Sequence, residues 1–193
     1  MQRTSYYIIN AITAYRLVAS FFLLFLVFTG QLDIFKWMLA ISFFTDAIDG
    51  FLARKYKVSS LMGARLDSIA DDLTVLVAII GVFRLKPEFI QQELVLIIVL
   101  LALLVIQTVM ALIRYGKISS FHTYLAKLAA VLQGSFLILL FFLPEPPLWL
   151  FYLASIVTLA ELVEEIILVI ILPKWEANVR NLFWVMKRNK QRQ

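Results

Sequence analysis

The chain has 193 residues, of which 62% are hydrophobic and only 16% are charged, with a net charge of +5. Soluble domains are nearer half apolar and a quarter charged, so this composition excludes a soluble globular enzyme, a disordered chain and a nucleic-acid-binding arm. It predicts a polytopic membrane protein instead. Because cysteine is absent and histidine occurs once, disulfides, thiolate metal sites and a histidine-rich zinc centre are also excluded.

Several stretches of the chain are long and apolar enough to cross a membrane, which takes about 20 residues in a helix. We therefore predict an all-α fold, an integral membrane bundle of six transmembrane helices. The predicted spans are residues 7–29, 35–54, 66–84, 92–113, 125–143 and 148–171. We expect residues 1–172 to form one transmembrane domain and residues 173–193 to form a basic interfacial tail.

The distribution of basic residues predicts the orientation in the membrane. Of 18 Lys and Arg residues, only Lys36, Arg84 and Lys86 lie at the connections between spans 1 and 2 and between spans 3 and 4. Basic residues favour cytoplasmic connections. Both termini and the connection between spans 2 and 3 are therefore expected in the cytoplasm, which agrees with an even number of spans. In a bacterium this would be the cytoplasmic membrane.

The C-terminal tail has an amphipathic pattern. Trp175, Val179, Leu182, Phe183 and Met186 are spaced to share one helical face, and basic residues follow them. This predicts a short interfacial helix whose basic end lies on an anionic lipid surface. A docking site for another protein is the alternative.

Carboxylates occur where span 2 ends and span 3 begins. Asp46 and Asp49 share a helical face in the first, as do Asp67 and Asp71 in the second. An ionised group inside a membrane is costly and usually serves a site, and four clustered carboxylates need cations to remain ionised. All-oxygen ligands favour hard divalent ions, and two such ions suit phosphoryl chemistry.

Small residues border the carboxylates. Gly50, Ala53 and Gly63 lie one turn from an aspartate, so a bulky ligand could approach the backbone there. Arg54 lies one turn beyond Gly50 and is suited to a phosphate. The alternatives are an interhelical salt-bridge network, a cation channel or transporter, and a non-catalytic membrane scaffold. A transporter would explain the carboxylates but not the small residues.

The aspartates and the small residues belong to a longer pattern, which resembles the signature of a known family. The sequence Asp46-x-x-Asp49-Gly50-x-x-Ala53-Arg54, followed after eight residues by Gly63-x-x-x-Asp67-x-x-x-Asp71, resembles the signature of the CDP-alcohol phosphatidyltransferases at every fixed position. Asn10-x-x-Thr13-x-x-Arg16 also looks like the usual opening of that family. The resemblance implies transfer of a phosphatidyl or similar group from a CDP-linked lipid donor to a small polar alcohol. CMP is released, and the reaction belongs to phospholipid biosynthesis.

The resemblance also implies roles for individual residues. Two Mg²⁺ or Mn²⁺ ions would be held by Asp46, Asp49, Asp67 and Asp71, and Asp71 would also be the catalytic general base. The nucleotide-binding residues would be Gly50, Ala53, Arg54, Gly63, Asn10, Thr13 and Arg16. Family members are typically homodimers. The expected partners are therefore the lipid donor, the acceptor, membrane lipids and a second copy, without nucleic acid.

A cluster of basic residues near the connection between spans 4 and 5 suggests the chemical class of the acceptor. The candidate acceptor-binding residues there are Arg114, Lys117, His122 and Lys127, and Arg65, just before span 3, is a further candidate. They are suited to a phosphorylated acceptor such as glycerol 3-phosphate or inositol phosphate, and ordinary basic flanking of spans is the alternative. Phosphatidylglycerophosphate synthases commonly have Pro and Lys where this chain has Ser68 and Asp72, which argues against that assignment.

Three glutamates in span 6 form a separate feature. Glu161 shares a helical face with Glu164 or Glu165. The sequence leaves three interpretations open: pairing with basic residues near a cavity, contact with a choline-like or ethanolamine-like cation, and hydration near the cytoplasmic end of the span.

Overall fold

The fold is described by a computed structural model over residues 2–56, 61–117, 119, 121–177 and 179–190. No β-strand occurs in these ranges, so the predicted all-α class is confirmed for them. Their helices are α1 (Gln2–Thr29), α2 (Leu32–Tyr56), α3 (Leu61–Leu85), α4 (Pro87–Tyr115), α5 (Tyr124–Phe142), α6 (Leu148–Ile171) and α7 (Leu182–Lys190).

The chain divides into two compact units, Met1–Gln92 and Glu93–Gln193. In the first unit, α1 packs against both α2 and α3. Apolar side chains such as Leu23, Val27, Phe35 and Leu39 are almost completely buried there. This core places three helices side by side, including the two that carry the aspartate pattern.

A glycine turn joins α1 to α2. Gly30 adopts a φ of +72°, a left-handed conformation that glycine takes without steric cost. The N–H of Gly30 donates to the Val27 carbonyl at 3.3 Å, and the N–H of Gln31 donates to the Leu26 carbonyl at 3.0 Å. These bonds satisfy carbonyls at the end of α1, and α2 begins immediately afterwards.

In the second unit, α5 packs against α6 and α6 contacts α7. The Thr123 hydroxyl caps the start of α5 by accepting a hydrogen bond from the Ala126 N–H at 3.1 Å. A buried apolar cluster joins residues of α4 and α6 to the C-terminal segment. Its members are Ala111, Phe121, Leu168, Val169, Leu172, Val179 and Val185.

The predicted helical face of the tail is wrong in its first part. Trp175 and Val179 precede α7, which begins at Leu182. Pro173 follows the end of α6 and cannot donate a backbone hydrogen bond. Val179 is instead buried in the apolar cluster. The helix that does form exposes Phe183, Trp184 and Met186 and buries Val185, so the apolar surface differs from the predicted one.

Among the described residues, α4 and α5 have the length and composition to cross a membrane. α4 contains the predicted span 92–113, and α5 contains all but the last residue of the predicted span 125–143. A shorter apolar stretch, Ala14–Thr29, lies in α1, and α6 combines an apolar sequence with three glutamates. The six-span arrangement as a whole therefore stays a prediction.

Candidate functional site

The aspartate pattern lies on two helices of the first unit. Asp46 and Asp49 belong to α2, and Asp67 and Asp71 belong to α3. Since α2 and α3 contact each other and both pack against α1, the fold collects the two halves of the pattern in one three-helix unit. Of these four aspartates, Asp71 is the one whose side chain the structure describes.

Most of the predicted site side chains lie outside the part that the structure describes, although their backbones belong to helices α1, α2 and α3. These residues are Asn10, Thr13, Asp46, Asp49, Gly50, Ala53, Arg54, Gly63, Arg65 and Asp67. Their roles in binding metal, nucleotide or acceptor stay predictions.

An ion pair links two predicted site residues. A guanidinium nitrogen of Arg16 on α1, Nη2, contacts Oδ1 of Asp71 on α3. The side chain of Arg16 is 2% exposed and that of Asp71 is 37% exposed. A buried guanidinium requires a charged or hydrogen-bonding partner, and Asp71 supplies one. The pair therefore fixes the Asp71 carboxylate against α1 and leaves part of it accessible.

Two buried hydroxyl residues near the aspartates were missed by sequence reasoning. Ser42 lies one turn before Asp46 on α2, and Thr74 lies three residues after Asp71 on α3. Both are almost fully buried, and the Thr74 hydroxyl donates to the Ala70 carbonyl at 2.8 Å. Their spacing of three or four residues from an aspartate was a usable signal, because such residues are neighbours on a helix.

The predicted metal site lies mostly outside the described side chains. These contain no group of three or more His, Asp or Glu residues able to hold an ion, and three of the four predicted ligands lie outside them. The predicted donor set is entirely carboxylate oxygen. That chemistry fits Mg²⁺ or Mn²⁺, which prefer oxygen ligands.

The basic residues predicted to bind the acceptor make contacts within the second unit. Arg114 donates from Nε to the Leu172 carbonyl at 3.2 Å, where α6 ends. Lys117 Nζ lies 5.3 Å from the ring centroid of Trp175, which is within cation–π range. Both residues thereby support the C-terminal segment. These contacts do not test acceptor binding, which stays a prediction.

Two further predicted acceptor residues whose side chains are described, His122 and Lys127, are exposed. His122 has a φ of +51° immediately before the Thr123 cap. Lys127 lies in the first turn of α5, with Nζ 5.7 Å from the Tyr124 ring centroid. Its position near a helix end, rather than in mid-span, lowers the cost of the charge.

Two of the three glutamates of α6, Glu164 and Glu165, have polar partners that the sequence did not identify. Glu165 is 8% exposed, and its Oε2 accepts hydrogen bonds from Gln107 Nε2 at 2.6 Å and from Ser119 Oγ at 3.0 Å. Gln107 also donates to Ser119. Glu164 Oε1 accepts from the Leu182 N–H at 2.8 Å, so this carboxylate stabilises the N-terminus of α7.

Comparison with known proteins gives one match. A family model described as CDP-alcohol phosphatidyltransferase matches residues 6–171. No curated protein and no solved structure matches the chain. The matched range covers most of the sequence and includes every residue of the pattern between Asp46 and Asp71.

Proposed function

The chain belongs to the CDP-alcohol phosphatidyltransferase family, and we propose that it transfers a phosphatidyl group from CDP-diacylglycerol to an alcohol. Members of this family are membrane-integral phosphotransferases of phospholipid synthesis that use CDP-alcohol donors. The observation that carries the proposal is the family match over residues 6–171 together with the complete aspartate pattern on α2 and α3.

In this proposal Asp46, Asp49, Asp67 and Asp71 hold two divalent ions, Mg²⁺ or Mn²⁺. Bound ions of this kind neutralise charge on a pyrophosphate and on the departing nucleotide. The grouping of the four residues on two contacting helices supports this assignment. So does the donor set, which is entirely oxygen.

Asp71 is proposed as the general base. Its carboxylate accepts the proton of the acceptor hydroxyl as that oxygen attacks the phosphorus that bears the lipid. A new P–O bond forms, the bond from this phosphorus to the bridging oxygen breaks, and CMP leaves. The ion pair with Arg16 supports this role, because a base must be held within hydrogen-bonding reach of its proton.

The nucleotide is proposed to lie beside Gly50, Ala53 and Gly63, whose small side chains allow close approach. Arg54 would contact a phosphate, and Asn10, Thr13 and Arg16 would border the same site. Arg16 would do so while it orients Asp71.

The acceptor is proposed to be a phosphorylated alcohol, glycerol 3-phosphate or inositol phosphate. Its phosphate would be bound by basic residues, namely Arg65, Arg114, Lys117, His122 and Lys127. The enzyme is proposed to be a six-span homodimer with its transmembrane domain in residues 1–172. Both termini and the active site would face the cytoplasm.

A panel of acceptors tests the substrate assignment. Purified protein would receive CDP-diacylglycerol and Mg²⁺ with glycerol 3-phosphate, inositol phosphate, inositol, serine or no acceptor. We expect CMP release and a new phospholipid with one phosphorylated acceptor. CMP release with only inositol or only serine would refute the proposal that the acceptor is phosphorylated. A second panel would offer CDP-choline or CDP-ethanolamine as the donor and diacylglycerol as the acceptor. Activity only in that panel would refute CDP-diacylglycerol as the donor.

A further inference from the structure

A cavity of about 330 Å³ lies among α4, α5 and α6 in the second unit. Its volume is at the lower end of the range of ligand pockets, about 300–1,000 Å³. The apolar part of its wall is made by leucines of α4 and α6 and by Ala126, Ala129 and Ala130 of α5. The small side chains of α5 leave space that larger residues would fill.

The polar part of the wall includes two carboxyl groups. Thr158, Glu161 and Glu165 line the cavity from α6, and Gln133 lines it from α5. Gln133 donates to the Thr158 hydroxyl at 2.6 Å, so these two groups satisfy each other. The two glutamates are the acidic groups that line the cavity.

Glu165 is more than nine-tenths buried but is only half satisfied. Both of its hydrogen bonds, from Gln107 and Ser119, reach Oε2. Within the described part of the chain, no donor bonds to Oε1. His122 interacts with Glu165 electrostatically. Oε1 therefore has acceptor capacity left, and an occupant that brings a positive charge or an N–H group would use it.

Glu161 is the second glutamate that lines the cavity. Its electrostatic neighbours are the carboxylates of Glu165 and Glu164. None of the residues that the structure describes forms an ion pair with Glu161 or donates a hydrogen bond to it. Carboxylates crowded in an apolar setting repel each other, and an ionisable residue within an apolar helix usually marks a site.

We propose that this cavity is a binding site for an organic ammonium group that carries a short alkyl body. The ammonium group would lie between Glu161 and Oε1 of Glu165, and the alkyl body would lie against the leucines and alanines. The apolar wall argues against a bare metal ion, which would need oxygen ligands on most sides. None of its lining residues belongs to the aspartate pattern, and its occupancy does not depend on the proposed transferase activity.

Equilibrium binding of hexyltrimethylammonium to the full-length protein in lipid nanodiscs tests this proposal. Hexyl sulfate, with the same chain length and the opposite charge, is the matched control ligand. We expect saturable binding of the cation and at least tenfold weaker binding of the anion. Equal affinity for the two ligands would overturn the proposal, because it would show that the alkyl chain alone drives binding.

Matched variants locate the site. Glu161→Gln and Glu165→Gln should each weaken cation binding by about tenfold, a typical loss for one partner of a partly buried charge pair. The exposed control Glu145→Gln should stay within twofold of wild type. Ala130→Leu, at an exposed residue that lines the cavity, should also block binding because the larger side chain fills the space. Unchanged affinity in the double variant of Glu161 and Glu165, with an unaltered melting temperature, would contradict the assignment.

The source of the ammonium group can be distinguished in the same assay. Nanodiscs of phosphatidylglycerol alone would be compared with nanodiscs that also contain phosphatidylethanolamine. Weaker binding of the probe in the second set would support a lipid amine as the natural occupant. Equal binding would support a water-soluble alkylammonium compound. The absence of saturable binding in both sets would overturn the proposal.

Discussion

Arg16 on α1 and Asp71 on α3 form an ion pair in which the arginine is almost completely buried while more than a third of the aspartate side chain remains exposed. The two sides of this pair differ in burial. Arg16 is the largest fully buried side chain among the described residues and ties α1 to α3. In the proposed mechanism, the accessible part of Asp71 would meet the acceptor hydroxyl.

Replacing Arg16 should therefore affect both stability and activity. Removing one partner of a fully buried pair costs about 3–5 kcal/mol. Because Asp71 is partly exposed, we expect Arg16→Met to lower the free energy of unfolding by about 1–3 kcal/mol. CMP release should fall at least tenfold. Thermal unfolding in detergent and a CMP assay measure the two effects.

The exposed pair between Lys36 and Asp33 is the matched control. Its Nζ–Oδ1 distance is 2.6 Å, and the Asp33 side chain is 90% exposed. Lys36→Met should change stability by less than about 1 kcal/mol. An equal loss of stability in the Arg16 and Lys36 variants would refute the structural importance of the buried pair.

Metal removal is expected to abolish catalysis. A chelator should stop CMP release, and added Mg²⁺ or Mn²⁺ should restore it. Even replacing a residue that only hydrogen-bonds to a metal ligand can weaken metal binding by about 10–100-fold. Asp46→Asn should therefore raise the Mg²⁺ concentration for half-maximal activity by at least about tenfold. Full activity of the chelated wild-type protein would contradict the metal assignment.

Gln107 is expected to stabilise the second unit through Glu165. Gln107→Ala removes the 2.6 Å hydrogen bond to a buried carboxylate, which should cost about 1–3 kcal/mol. Gln91→Ala, at an exposed position on the same helix, is the control and should have little effect. Equal melting temperatures for the two variants would show that the hydrogen bond contributes little.

The cap of α7 gives another local prediction. Asn181 Oδ1 accepts the Trp184 N–H at 2.7 Å, so Asn181→Ala should destabilise the start of this helix by about 1 kcal/mol. Hydrogen exchange of residues 182–190 should become faster. Asn181→Asp retains an acceptor oxygen and should exchange like wild type. Equal protection in the alanine variant would contradict the capping role.

The sequence predicted the all-helical class and the family because both depend on local signals. Long apolar stretches indicate helices, and the pattern from Asp46 to Asp71 carries its information in fixed spacing. The family match over residues 6–171 confirms the resemblance. Glycine at position 30 was also consistent with the observed turn.

Long-range pairings could not be predicted in the same way. Arg16 and Asp71 are far apart in sequence, and nothing local indicates that α1 places one against the other. Similarly, the partners of Glu165 lie on α4 and in the following loop. The tail was mispredicted because Val179 packs into a tertiary cluster, and such packing overrides a helical pattern in a short segment.

This protein is a CDP-alcohol phosphatidyltransferase, and we propose that its activity depends on Asp71. The most direct measurement is CMP release from CDP-diacylglycerol with Mg²⁺ and acceptor by the wild type, Asp71→Asn and Asp33→Asn. We predict release by the wild type and by Asp33→Asn within twofold of each other, with at least a hundredfold loss in Asp71→Asn. Release at the wild-type rate by Asp71→Asn would contradict the account.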